Sequence, residues 1–98
     1  MPFVYIARCS DSTLYVGHTS DLWARQQTHN EGHGARYTAV RRPVRIVYAE
    51  EFPSIDAAKA RERQLKGWTT GKKEALVAQN TSALKGISSK SRKKRGLP

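Results

Sequence analysis

The chain has 98 residues, with 18 Lys and Arg against 8 Asp and Glu, a formal net charge of +10, and 38% hydrophobic residues. That length accommodates one domain, and a domain this small buries only about 60–65% of its unfolded surface, so one modest core is the limit. No stretch reaches the ~20 apolar residues of a membrane span, Met1-Pro2-Phe3-Val4-Tyr5 lacks the pattern of a signal peptide, and the lone Cys9 excludes an internal disulfide and a multi-cysteine zinc site, which suits a reducing, cytoplasmic setting.

Phe3–Ala7 and Thr13–Gly17 are β-branched and aromatic, and Cys9-Ser10-Asp11-Ser12 between them is turn chemistry, which together predict a hairpin. Thr19-Ser20-Asp21 offers N-cap residues for a helix running to about Asn30, ended by Gly32 and Gly34. Pro43 precedes a third strand over Val44–Glu50. Pro53-Ser54 opens a second helix to about Lys66, closed by Gly67. Its Ala57, Ala58 and Leu65, with Trp68, fall within about a third of the circumference, a core-facing stripe. Thr70-Gly71 starts a short third helix, Lys72–Gln79, that buries Leu76 and Val77. Trp23, Trp68 and the Val, Ile and Leu runs are expected to make the core. The order β-β-α-β-α-α predicts an α+β fold over residues 1–82, a small antiparallel three-stranded sheet flanked by helices.

Residues 83–98 hold six cations, Lys85, Lys90, Arg92, Lys93, Lys94 and Arg95, and no acid, leaving +4 for the rest. Rich in Ser, Gly and Lys, this tail cannot bury enough surface to offset its ordering entropy and is expected to be a disordered basic arm. Such an arm attracts polyanions without reading sequence, because each phosphate neutralised releases counterions. A tail that only solubilises is the alternative.

Within the domain, Glu62 borders the apolar stripe of the second helix, where a carboxylate needs a partner, a metal or a raised pKa. An acid paired with Lys59, Arg63 or Lys66 would look the same from its position. Arg25 and His29 stand four residues apart on one helical face, a pair able to bind phosphate and move a proton near pH 7. Tyr5 and Tyr15 lie one in each hairpin strand and share a sheet face in an even-sum register, with Gly17 permitting a close approach of backbone or ligand. Packing alone would also explain paired strand tyrosines. His18 and His33 read as loop or surface residues, and Cys9 has no flanking base.

Taken in order, Tyr5, Tyr15-Val16-Gly17, Arg25, His29 and Glu62 resemble the GIY-YIG nuclease family, in particular its small stand-alone members of about 80–100 residues. V-Y-I-A-R-C, L-Y-V-G-H-T-S-D-L, H-N-E-G-H-G-A-R-Y-T, R-R-P-V, E-E-F-P and R-E-R-Q-L-K-G-W carry the match over about residues 2–79. Phe3 stands where the first signature triplet has Gly, and Val16 where the second has Ile. The resemblance implies a metal-dependent endonuclease acting on DNA. Glu62 would ligate one Mg²⁺ or Mn²⁺, Arg25 would clamp the scissile phosphate, and Tyr5 would orient or deprotonate water with help from His29. Tyr15 and Gly17 would support water or phosphate, and Lys90, Arg92, Lys93, Lys94 and Arg95 would add phosphate contacts. Asn80 is a loose match to a late Asn found in several members. A separate targeting protein is a possible partner. Two other classes stay open: a basic nucleic-acid-binding module with this fold and no turnover, and an adaptor whose tail meets an acidic protein.

Overall fold

The computed structural model describes residues 1–79. Three strands, β1 (Phe3–Arg8), β2 (Leu14–Thr19) and β3 (Arg45–Glu51), form an antiparallel sheet in the order β2-β1-β3. Four helices follow the chain as α1 (Leu22–Asn30), α2 (Arg36–Ala39), α3 (Ile55–Lys66) and α4 (Thr70–Gln79). The α+β class and the three-stranded sheet agree with the sequence. Asn80 and the basic residues of the tail lie outside the described residues. No helix among the described residues is long and apolar enough to cross a membrane.

Strand alternation divides the molecule into two packed layers, because successive side chains point to opposite sheet faces. Val4, Ile6, Val16 and Tyr48 face α3, where Ala58 and Leu65 are fully buried against them. Trp68, Leu76 and Val77 pack on this layer as half-buried side chains. Tyr5, Ala7, Cys9, Val44 and Ile46 form the core of the other face, with Tyr15 and Leu22 beside them. The register aligns Tyr5 with Gly17 and Ala7 with Tyr15, so the two tyrosines do share a face. An irregularity between Ile6 and Ala7 shifts the pairing with β3 and keeps Tyr48 and Ile46 on opposite faces.

Local chemistry sets the helix ends. Asp21 accepts from the Ala24 amide at 3.0 Å and Ser54 from the Ala57 amide at 3.1 Å, each satisfying one of the orphan donors of a first turn. The last turn of α1 is laced to the free edge of β3. Asn30 both accepts from the Val44 amide at 2.6 Å and donates to its carbonyl at 2.9 Å, while Gln26 accepts from the Ile46 amide at 2.7 Å. On the other layer, Arg8 of β1 holds Glu74 of α4 through two bonds of 2.7 and 2.8 Å.

Four expectations need correction. Trp23 is 62% exposed, not core. With α1 starting just after the Asp21 cap, Leu22 and His29 take the sheet-facing side at 100° per residue, and Trp23 points away from it. The helix α2 is an element that Gly34 and its neighbours disguised as loop. The last helix begins at Thr70 and has no fully buried residue. His18 is not a loop residue: it belongs to β2, on the face that meets α3.

Candidate active site

Tyr5 is fully buried at the centre of its layer, and its hydroxyl lies 2.7 Å from Nε2 of His29, itself 1% exposed. His29 Nδ1 is 2.9 Å from the Thr38 hydroxyl, which donates to the Ala35 carbonyl at 2.9 Å. These bonds fix the protons. Thr38 spends its hydrogen on Ala35 and therefore accepts from Nδ1–H, which leaves Nε2 as the acceptor for the Tyr5 O–H. The result is a buried chain from Tyr5 through His29 to Thr38.

Two glycines cradle this pair. A Cβ on Gly17 would stand 2.6 Å from the Tyr5 oxygen and 2.8 Å from Cζ, and a Cβ on Gly34 would collide with the His29 ring. The close approach anticipated at Gly17 is thus taken up by Tyr5 itself. Tyr15, half-buried, meets His29 edge-on with 5.5 Å between centroids and stacks on Tyr37 at 6.1 Å, while Arg41 covers Tyr37 at 3.8 Å. Arg25 is half-buried and has no carboxylate within 4.0 Å among the described residues.

Burial and the neighbouring Tyr15 push the Tyr5 phenol far above its ordinary value, with Glu62 adding to the rise; Arg25, close to the hydroxyl, pulls the other way. Burial, and then Arg25, hold the His29 imidazole below 6.5, so it is neutral at pH 7. Neutral is the form that can accept a proton.

Glu62 comes from the opposite layer, and its helix brings it to the outer edge of β2. Its side chain is 16% exposed and carries a partner on each oxygen: His18 Nδ1 at 2.5 Å from Oε1 and Lys66 Nζ at 2.9 Å from Oε2. Burial raises this carboxyl, but the bonds from Lys66 and His18 outweigh it and hold the group below the ordinary carboxylate value. The Lys66 ammonium also lies 6.0 Å from the Tyr15 ring centroid, so the edge of β2 is where the two layers' polar groups meet. Beside Glu62, Lys59, Arg63 and Lys66 line an open concavity of about 220 Å³.

The described residues contain no group of three or more His, Cys, Asp and Glu side chains suited to one ion. A hard divalent cation that keeps several waters needs only one or two protein ligands, and Glu62, ionised and already holding an ammonium, meets that requirement. Of the residues singled out from the sequence, Tyr5, Tyr15, Gly17, Arg25 and His29 gather on one face, with Glu62 reaching them around β2. His33 is exposed, as expected. Thr38 and His18 were missed. The alternation of β2 carried a signal for His18, which must face opposite to Tyr15 and Gly17; Thr38 had none, nine residues from His29 in a four-residue helix that no capping side chain announces.

The fold is of nuclease type. The model of the GIY-YIG catalytic domain matches residues 1–75, and the chain belongs to that family. It is similar to UPF0213 proteins of Staphylococcus aureus, among them those of strains Mu3 and N315, at 47% identity over 77 residues, covering 79% of this chain and 94% of each relative. The solution NMR structure of a UPF0213 protein from Bacillus halodurans aligns at 36% identity with a TM-score of 0.55, covering 91% of this chain and 96% of that one. GIY-YIG domains are generally nucleases, and such nucleases typically use divalent metals.

Proposed function

We propose that this chain is an endonuclease that hydrolyses phosphodiester bonds in DNA, with a divalent metal, Mg²⁺ or Mn²⁺, held at Glu62. The observation that carries the reading is the proton order of the Tyr5–His29–Thr38 chain beside Arg25, which has no carboxylate partner among the described residues. A buried phenol cannot exist as a free phenolate at neutral pH, because desolvation disfavours its charged form. Tyr5 can still act as a base if it loses its own proton as it gains one. The attacking water gives a proton to Tyr5 Oη while the Tyr5 hydrogen passes to His29 Nε2, and Nδ1 stays anchored on Thr38. General-base assistance of this kind contributes about 10²–10⁴ in rate.

Arg25 has two tasks. In the unbound chain it lies near the Tyr5 hydroxyl; drawn onto the scissile phosphate, it uncovers that oxygen and stabilises the charge growing on the phosphoryl group. Tyr15 borders the same space and orients water or phosphate through its hydroxyl. A metal bound at Glu62 would supply Lewis-acid polarisation of the phosphoryl group and stabilise the leaving 3′ oxygen. Lys59 and Arg63 flank it as phosphate contacts.

The test is cleavage of supercoiled plasmid, branched duplex and single-stranded DNA with Mg²⁺, Mn²⁺ or EDTA. Cleavage is expected only with metal, and Glu62→Gln and Arg25→Ala are expected to lower its rate at least about 10³-fold. Salt-sensitive retardation of DNA by the wild-type chain with no cutting in either metal would replace this reading with that of a non-catalytic binding module.

A further inference from the structure

His18 has no part in the proton relay and was given no role by the family resemblance, yet the fold delivers it to Glu62. The two residues are 44 positions apart, on β2 and α3, and their 2.5 Å contact exists only because those elements dock. A carboxylate only accepts, so Nδ1 carries the hydrogen between them. His18 has no other side-chain bond among the described residues, which leaves Nε2 free to take a hydrogen. Its side chain is 32% exposed and that of Glu62 is 16% exposed, so both groups reach solvent. The group on the other Glu62 oxygen, Lys66, is 53% exposed and can swing away.

We propose that His18 is a second metal ligand beside Glu62, making the site one of mixed nitrogen and oxygen donors that favours Mn²⁺ and the later divalent transition metals over Mg²⁺. The inference rests on the reading that Glu62 holds a metal, and it adds the partner ligand and the metal preference.

Ligation requires a proton to move. Nδ1 gives up the hydrogen it donates to Oε1, and the neutral ring takes one up at Nε2; a ring protonated at both nitrogens instead releases one proton to solvent. The Nδ1 lone pair and Oε1 would then be available to one cation, whose charge would replace that of the Lys66 ammonium on Glu62. Imidazole nitrogen suits the later transition metals, whereas Mg²⁺ keeps to oxygen ligands and gains little from it. A serine or an aliphatic residue at position 18 would leave an all-oxygen site.

The experiment is electron spin-echo spectroscopy of Mn²⁺ bound to the full chain, with Mn²⁺ and Mg²⁺ affinities measured on the same proteins by titration and competition. The wild-type chain is expected to show nitrogen modulation from a coordinated imidazole. His18→Gln, which can still hydrogen-bond Glu62, is expected to lose that modulation and to bind Mn²⁺ at least about tenfold more weakly, with Mg²⁺ affinity changed less than about threefold. His18→Asn serves as a second variant, and circular dichroism verifies that both fold. Mn²⁺ bound without nitrogen modulation, but lost in Glu62→Gln, overturns the His18 role and leaves the Glu62 reading intact. Modulation that persists in both His18 variants likewise overturns it. Mn²⁺ binding unaffected by Glu62→Gln overturns both.

Discussion

The Tyr5 ring is fully buried core, and its hydroxyl donates to His29 at 2.7 Å, so one side chain packs the core and, in the proposed relay, carries the proton. Tyr5→Phe separates the two. The ring keeps its place between Gly17 and the α1 layer, but His29 Nε2 loses its partner, and an unsatisfied buried acceptor costs about 1–3 kcal/mol. Chemical denaturation should report that loss, while plasmid cleavage falls by about 10²–10⁴, the worth of the base. The same pair makes the molecule sensitive to pH. Burial and Arg25 hold the folded imidazole of His29 below its ordinary 6.5. An unfolded chain therefore binds a proton there as pH falls through 6.5, and the folded chain does so only lower down. Stability from this source is complete above about pH 6.5 and drains as pH falls below it. Thermal melts between pH 7.5 and 5.5 should show Tm falling in the wild-type chain and falling less in His29→Gln, which has no imidazole at that buried position. Equal slopes would place the pH dependence elsewhere, since carboxyl groups such as Glu62 titrate below this range.

At the scale of elements, the site depends on how α1 is fastened to β3. Asn30 answers both backbone groups of Val44, and its neighbour in sequence is His29. Asn30→Ala removes both bonds, with an expected loss of about 1–3 kcal/mol in a urea titration. It also loosens the turn that aims His29, so cleavage should fall by up to about 10²-fold although residue 30 touches no reacting group. Wild-type cleavage in a destabilised Asn30→Ala chain would show that His29 is positioned by Thr38 and Gly34 alone. The helices themselves were legible in the sequence where their causes are local: Asp21 and Ser54 cap α1 and α3 with the bonds their side chains predict, and Gly67 closes α3. The shared face of Tyr5 and Tyr15 was legible too, because a period of two needs only the register. What depends on rotation and docking was not. Trp23 looked like core by composition, yet its angular position on α1 turns it to solvent. The His18–Glu62 contact requires the register of β2 and the seating of α3 at once, and the bond from His29 to Thr38 requires a four-residue helix with no side-chain cap to announce it.

Across the described residues, cations divide into those paired with a carboxylate and those left without one. Arg8, Arg41, Arg61 and Lys66 are spent on Glu74, Asp11, Glu50 and Glu62. Arg25, Lys59 and Arg63 have no carboxylate within 4.0 Å among the described residues, and they stand at or beside the site. Positive charge without internal partners is what releases counterions when phosphates bind. Lys90, Arg92, Lys93, Lys94 and Arg95, outside the described residues, are expected to extend that supply. Each cation that meets a phosphate adds about 0.9 to the slope of log affinity against log salt. Replacing those five tail residues with Gln is therefore expected to flatten the slope for duplex DNA by up to about 4–5, while the rate of cleavage at saturating DNA stays unchanged because no tail residue belongs to the relay. Fluorescence anisotropy over a salt series gives the slope, and single-turnover cleavage gives the rate. An unchanged slope would confine the phosphate contacts to the domain. A lost single-turnover rate at saturation would instead make the tail part of the active centre.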